Sequence, residues 1–292
     1  MLIGKGYKRV NYPISFAMRN IYYLKALQVS LLGVLLVFNS CELVEYSPYQ
    51  VKLAESEQDL NRQNAEKIAA LGLKPTDTLR IALISDTQRF YDETEDFVKS
   101  VNNLTEQKGK RIHFVLHGGD ISDFGLLEEF QWQHRILKKL KMPYMVVIGN
   151  HDCVANGKKV YTNMYGPYEQ VYQFARNRFI FLNTNFLEFK NDIIRLDYLE
   201  DNLRDTENYD NAFVLAHVSP FDEDFDRRKE EPYARIIRQY QANPIHGHKH
   251  KYGLSQPYED GREYLIIGSV SYRKYVVMTI IGKKVSHEVI NY

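Results

Sequence analysis

Tyr144-Met145-Val146-Val147-Ile148-Gly149-Asn150-His151-Asp152 decides how the rest of the chain is read. The first five residues form an apolar run of the length of a buried strand. Gly149 turns the chain, and an amide, an imidazole and a carboxylate follow in succession. In an open α/β sheet the ligand crevice lies outside the carboxyl ends of the strands. Asn150 offers a metal one neutral carbonyl oxygen. His151 is suited to giving up a proton near neutral pH. Asp152 can accept from that imidazole and fix its tautomer. Taken alone, the stretch is equally a polar turn with a capping Asp.

The flanking chain removes that ambiguity. Upstream, Leu79 to Ile84 reads as a buried strand ending at Ser85-Asp86-Thr87-Gln88. Asp92 to Asn103 reads as a helix, and Ile112 to Leu116 as a second strand running into His117-Gly118-Gly119-Asp120. Leu126 to Leu140 has apolar residues at helical spacing. Strand, helix, strand, helix, strand implies parallel strands with right-handed crossovers. Asp86, Asp120 and Asn150 then share one sheet edge.

Downstream, Arg178 to Leu182 and Ala212 to Ala216 read as strands, the second ending at His217. Leu196, Leu199 and Leu203 stripe a short helix, and Glu230 to Tyr240 is helical. Pro244 to His250 is extended, and alternate residues of an extended segment face one way. His248 and His250 are therefore expected to point into one cleft. Glu263 to Ile267, Lys274 to Ile281 and Val285 to Ile290 follow as apolar segments, with a hairpin turn at Gly282-Lys283. No internal repeat and no second domain is read.

With these blocks in order, the chain over Leu79 to Tyr292 resembles the calcineurin-like metallophosphoesterases. Their pattern is Asp-x-His, Gly-Asp, Gly-Asn-His-Asp/Glu, His, and Gly-His-x-His. Here it reads Asp86-Thr87-Gln88, Gly119-Asp120, Gly149-Asn150-His151-Asp152, His217 and Gly247-His248-Lys249-His250. The resemblance implies a four-layer α/β/β/α sandwich. It implies two metals bridged by Asp120, one held by Asp86, Gln88 and His250, the other by Asn150, His217 and His248. A metal-activated hydroxide would attack phosphorus in line. His151 would stabilise the phosphoryl oxygens or protonate the leaving group, oriented by Asp152. Mixed oxygen and imidazole donors suit Mn, Fe or Zn, as divalent or trivalent ions. Gln88 stands where the family has histidine. It either ligates weakly or hydrogen-bonds a metal-bound water.

The remaining histidines read as structural. His134 belongs to the apolar stripe of its helix, His246 packs beside the two ligands, and His117 approaches from behind the site. Cys153 reads as a buried structural thiol. Substrate choice is expected from the loops Val154 to Gln170, with Lys158, Lys159, Tyr161, Tyr165 and Tyr168, and Ser219 to Glu231, with Asp222, Asp224, Asp226, Arg227 and Arg228. Tyrosines with lysines suit a base or sugar phosphate and equally suit a solvated surface.

Composition narrows the rest. A formal net charge of +1 over 292 residues gives no electrostatic footprint for duplex nucleic acid. Two cysteines, Cys41 and Cys153, make no disulfide framework. Arg19 and Lys25 precede an apolar stretch, Ala26 to Phe38, too short for a transmembrane helix of ~20 residues. It fits a signal segment. Val37-Phe38-Asn39-Ser40-Cys41 resembles a bacterial lipobox, which implies cleavage before Cys41, a lipid anchor on it and a place in the cell envelope. Residues 1–17 lie upstream of a credible start, 41–78 read as a tether and a charged surface helix, and 79–292 as the enzyme domain. The expected partners are a small phosphate ester and the membrane. A phosphodiesterase or nuclease using the same site, and a non-catalytic envelope binding lipoprotein, are the competing readings.

Overall fold

The computed structural model describes residues 21, 23–31, 47, 49–189 and 193–292. These fall into two units, Met1–Ser47 and Pro48–Tyr292. In the first, residues 23–31 are helical and exposed. No helix among the described residues is long and apolar enough to cross a membrane. The lipobox-like stretch Val37 to Cys41 lies outside the described residues.

The second unit is two sheets stacked face to face. The first has the order β11-β10-β1-β2-β3. Its strands are β1 (Leu79–Ile84), β2 (Phe114–His117), β3 (Tyr144–Val146), β10 (Lys274–Ile281) and β11 (Lys284–Asn291). β1, β2 and β3 are parallel, β10 runs antiparallel to β1, and β11 runs antiparallel to β10. The second sheet has the order β4-β5-β6-β7-β9-β8. It comprises β4 (Gln170–Phe174), β5 (Asn177–Leu182), β6 (Asn211–Ala216), β7 (Asn243–His246), β8 (Gly253–Ser255) and β9 (Tyr264–Ile266).

Period-two alternation explains the stacking. In β1, Leu79, Ile81 and Leu83 point to the partner sheet, where they meet Phe179, Phe181, Phe213 and Leu215. Ala82 and Ile84 point the other way, onto helices α2 (Tyr91–Glu106), α3 (Leu127–Leu137) and α4 (Gly157–Tyr165) through Phe97, Val101, Phe130 and Tyr161. The far face of the second sheet, with Ile180, Val214 and Ala216, is covered by helices over Leu196–Leu203 and Arg227–Gln239. The result is the expected four-layer α/β/β/α sandwich.

Three departures from the sequence reading have physical causes. The charged helix over 55–71, expected on the surface, is α1 (Leu60–Ala69) and packs on the unit with Leu60, Ala65 and Ile68 buried. Its Asn61 exchanges two 2.8 Å hydrogen bonds with the backbone of Val146, and Asn64 donates to Tyr144 O at 2.8 Å. These side chains satisfy the outer edge of β3, which otherwise exposes unpaired backbone groups. The loop Val154 to Gln170 is largely helix α4, and its Tyr161 and Tyr165 are fully buried, so neither can meet a substrate. β4 and β8 have no counterpart in the sequence pattern. Only the ends of β4 are buried, and β8 is three residues long, so neither shows a strong apolar run.

Candidate metal centre

The carboxyl ends of β1, β2 and β3 meet those of β6 and β7 at one edge of the sandwich. Asp86 follows β1, Asp120 follows β2, Asn150 follows β3, His217 follows β6, and His248 and His250 follow β7. The loops come very close. A side chain at Gly149 would collide with the backbone and carboxylate of Asp120, and one at Gly247 with Ser85 Oγ. Glycine at both positions is what lets the loops touch.

Asp120 is the centre. Its Oδ1 accepts from His151 N at 2.9 Å, and its Oδ2 lies 3.3 Å from His217 Nε2 and 3.4 Å from Gln88 Nε2. Asp86, Asp120 and His217, all buried, bring ligand atoms within 4.8 Å of one another. Asn150 Oδ1 lies 3.0 Å from His217 Nε2 and 3.1 Å from His248 Nδ1. His250 Nε2 lies 3.5 Å from Asp86 Oδ1. So the structure brings together all seven residues that the resemblance implied as ligands.

The donor set fits cations. Both carboxylate oxygens of Asp86 and the Oε1 of Gln88 are buried with no hydrogen-bond partner. Buried polar atoms are normally paired, and an orphan acceptor asks for a ligand. Burial, with Asp120 close by, pushes Asp86 up to about 6. Burial opposes charge on His217 too, but Asp120, Asp86 and the Gly118 carbonyl outweigh it and push that imidazole up to about 10. The negative potential that holds this proton would equally favour a divalent cation. His217 Nδ1 bonds Gly118 O at 2.7 Å, which aims Nε2 at Asp120 and Asn150.

Four of these residues hold the left-handed backbone region: Asp86 at φ 54°, Asp120 at 60°, His248 at 66° and His250 at 57°. Non-glycine residues avoid it, and such strain collects at functional sites. It also corrects the expectation of an extended Pro244 to His250. β7 stops at His246, and Lys249 N bonds back to Gly247 O at 2.8 Å. A turn, not strand alternation, sends His248 to Asn150 and His250 to Asp86.

The role expected of Asp152 is also corrected. Its oxygens accept from the backbone N–H groups of Gly149, Asp120, Ile121 and Ser122 at 2.8–3.0 Å, and from Ser122 Oγ at 2.9 Å. It ties the loop after β2 to the loop after β3 and so positions Asp120. His151 Nδ1 bonds Asp123 O at 2.9 Å, with Asp123 Oδ1 at 3.4 Å. Asp123 is in turn held by Arg89 at 2.7 Å. The physical reason is saturation: a carboxylate ringed by four amides has no lone pair left to orient an imidazole.

Among the bystander histidines, only His246 keeps a buried ring nitrogen, Nε2, without a hydrogen-bond partner. His117 bonds Thr87 Oγ1 at 2.9 Å and Gly119 N at 3.2 Å, and burial brings it down to about 3. His134 pairs with Tyr144 Oη at 2.6 Å, and His246 bonds Ala216 O at 3.0 Å while stacking on Tyr264. Cys153 is buried, its thiol donating to Gly149 O at 3.3 Å.

Sequence reasoning placed Asp222 and Asp224 in a loop for substrate choice and not behind His248. His248 Nε2 lies 3.2 Å from Asp224 Oδ2 and 3.7 Å from Asp222 Oδ1, and Lys249 Nζ lies 2.6 Å from Asp222 Oδ2. The run Asp222-Glu223-Asp224 was the available signal, but acidic loops are common and its partner is remote in sequence.

Comparison with known structures gives the same fold at low identity. A purple acid phosphatase from yellow lupin (Lupinus luteus) superposes with TM-score 0.59 at 12% identity, covering 75% of this chain and 52% of its own. This chain thus spans about half the length of that protein. A dimetal phosphatase from Danio rerio gives 0.55 at 14% identity, with 73% and 99% covered. GAP50, titled the anchor in the inner membrane complex of Plasmodium, gives 0.55 at 13% identity, with 73% and 84% covered. No curated protein matches in sequence. The sequence profile described as calcineurin-like phosphoesterase matches residues 79–252, which spans every loop that meets at Asp120. The chain belongs to the calcineurin-like phosphoesterase family and is a metal-dependent phosphoesterase.

Proposed function

We propose that the chain hydrolyses phosphate esters with two cations that share Asp120. The convergence at Asp120 carries the reading: carboxylate, amide and imidazole donors arrive from five loops, and oxygens of Asp86 and Gln88 are buried without partners. Asp86, Gln88 and His250 would hold one ion, and Asn150, His217 and His248 the other. Bound there, such ions polarise the phosphoryl oxygens and activate a water. Oxygen and imidazole donors favour Mn, Fe or Zn. The neighbour from Danio rerio is titled a dimetal phosphatase, which agrees with a count of two. The neighbour titled an anchor is a reminder that function lies in the site rather than the fold.

The chain's own residues supply the rest. Asp152 fixes the loop that carries Asp120, and Asp120 Oδ1 fixes the backbone of His151. With Nδ1 committed to Asp123, the other nitrogen of His151 is left to protonate a leaving alkoxide or to bond a phosphoryl oxygen. Chelation should abolish hydrolysis of an aryl phosphate, and Mn, Fe or Zn should restore it. A bis-aryl phosphate run in parallel separates monoesterase from diesterase. Failure of every metal on both substrates would overturn the reading.

We also propose a lipid anchor on Cys41 that places the enzyme in a bacterial cell envelope. Arg19, Lys25, the short apolar stretch and the small Ser40 before the cysteine support it. A Cys41→Ser protein that is still cleaved there and still partitions into detergent would overturn it.

A further inference from the structure

Beside the metal centre lies a cleft of about 290 Å³ that the chemistry above does not use. His250 stands in its wall, with a side chain 48% exposed, and the same imidazole faces Asp86. Ser269, also in the wall, donates to the backbone carbonyl of Asp86 at 2.9 Å. The cleft therefore shares His250 with the metal centre and abuts the loop that carries Asp86.

Its chemistry is distinctive. Tyr252 and Tyr272 line it and are 39% and 52% exposed, with no ring partner among the described residues. Ile267 adds apolar surface. Lys251 and Lys274 line it too, and neither has an ion pair among the described residues. Lys249, by contrast, is committed to Asp222. Exposed aromatic faces stack any flat ring, and unneutralised lysines beside them attract an anion. The volume sits near the lower end for small-ligand sites, roughly 300 Å³.

We infer that this cleft receives the organic part of the substrate and selects a phosphate ester bearing an aromatic ring and a second negative charge, the chemistry of a nucleotide. The inference rests on the phosphoesterase reading above and deepens it. With the phosphoryl group at Asp120, the rest of the ester can pass His250 into the cleft. The ring then lies against Tyr272 or Tyr252, and the second anion meets Lys251 and Lys274.

The test uses the metal-loaded protein and three monoesters: glycerol phosphate, adenosine monophosphate and adenosine bisphosphate. KM should fall in that order. Tyr272→Ala should raise KM roughly tenfold for both adenosine esters, from the usual strength of base stacking, and not for glycerol phosphate. Tyr272→Phe should restore it. The double variant Lys251→Ala, Lys274→Ala should raise KM selectively for the bisphosphate, by an amount that shrinks with added salt. Equal KM for the three esters, or variants that shift all three alike, would overturn the inference. If no ester is hydrolysed, the catalytic reading fails, and calorimetry with adenosine bisphosphate still decides the cleft. Weaker binding to Tyr272→Ala than to wild type supports it; equal binding overturns it.

Discussion

On one side of Asp120 stand Asp86, Gln88 and His250; on the other, Asn150, His217 and His248. The second group is already knit together. Asn150 Oδ1 sits between two imidazoles, His217 is braced by the Gly118 carbonyl, and His248 is backed by Asp224 and Asp222. The first group is not. Asp86 and Gln88 keep orphan oxygens, and His250 is half exposed where His248 is only 17% exposed. Donors held in place before a ligand arrives lose less entropy on binding. The Asn150 side is therefore expected to hold its metal more tightly, and a titration should resolve two affinities.

The largest expected effect removes both sides at once. Asp120→Asn should lower turnover by more than about 10³-fold, since the contributions of both cations go together. Elemental analysis should show metal lost from both positions; an intact complement of two would end the bridging role.

Next in size is His151→Gln, which spares both sides. General acid help is typically worth ~10²–10⁴-fold. Esters with poor leaving groups should lose that much, while nitrophenyl esters, which need little protonation, lose far less. An equal loss on both classes would assign His151 to electrostatic stabilisation, and a loss of metal would place it among the ligands.

Asp224→Asn tests the bracing of one side alone. Removing the carboxylate behind a ligating histidine typically costs about 10–100-fold in metal affinity. The loss should fall on the tighter of the two titration steps. If the weaker step moves instead, the two sides have been ranked the wrong way round.

The smallest change should go in the opposite direction. Gln88→His gives the looser side an imidazole, the better donor for late first-row metals. The weaker step should tighten by roughly tenfold, and the gap between the two affinities should narrow. An unchanged titration would mean that Gln88 does not ligate.

Most of the first sheet was legible in the sequence because its strands are buried on both faces. Tyr144 to Ile148 is a continuous apolar run, Leu79 to Ile84 is broken only by Arg80, and polar residues of the site follow each. The edges were not legible. β4, β8 and the helix that covers β3 carry mixed residues, because each is only partly buried. Asn61 and Asn64 look like solvent-facing helix residues until β3 is placed beside them.

The strand pattern by itself determined that Asp86, Asp120 and Asn150 share one edge, and the family resemblance added Gln88, His217, His248 and His250. Parallel strands put their carboxyl ends at one edge, so residues that follow apolar runs gather there whatever the loops do. Only the tertiary structure decided which partner each side chain takes. Asp152 turns to the amides around Asp120, leaving His151 to Asp123. His248 and His250 diverge at a left-handed turn, and Asp224 arrives from the loop that follows β6. The physical reason is that strand burial is written in local periodicity. A hydrogen bond is settled by distances of a few tenths of an ångström between loops remote in sequence, and no local pattern records these.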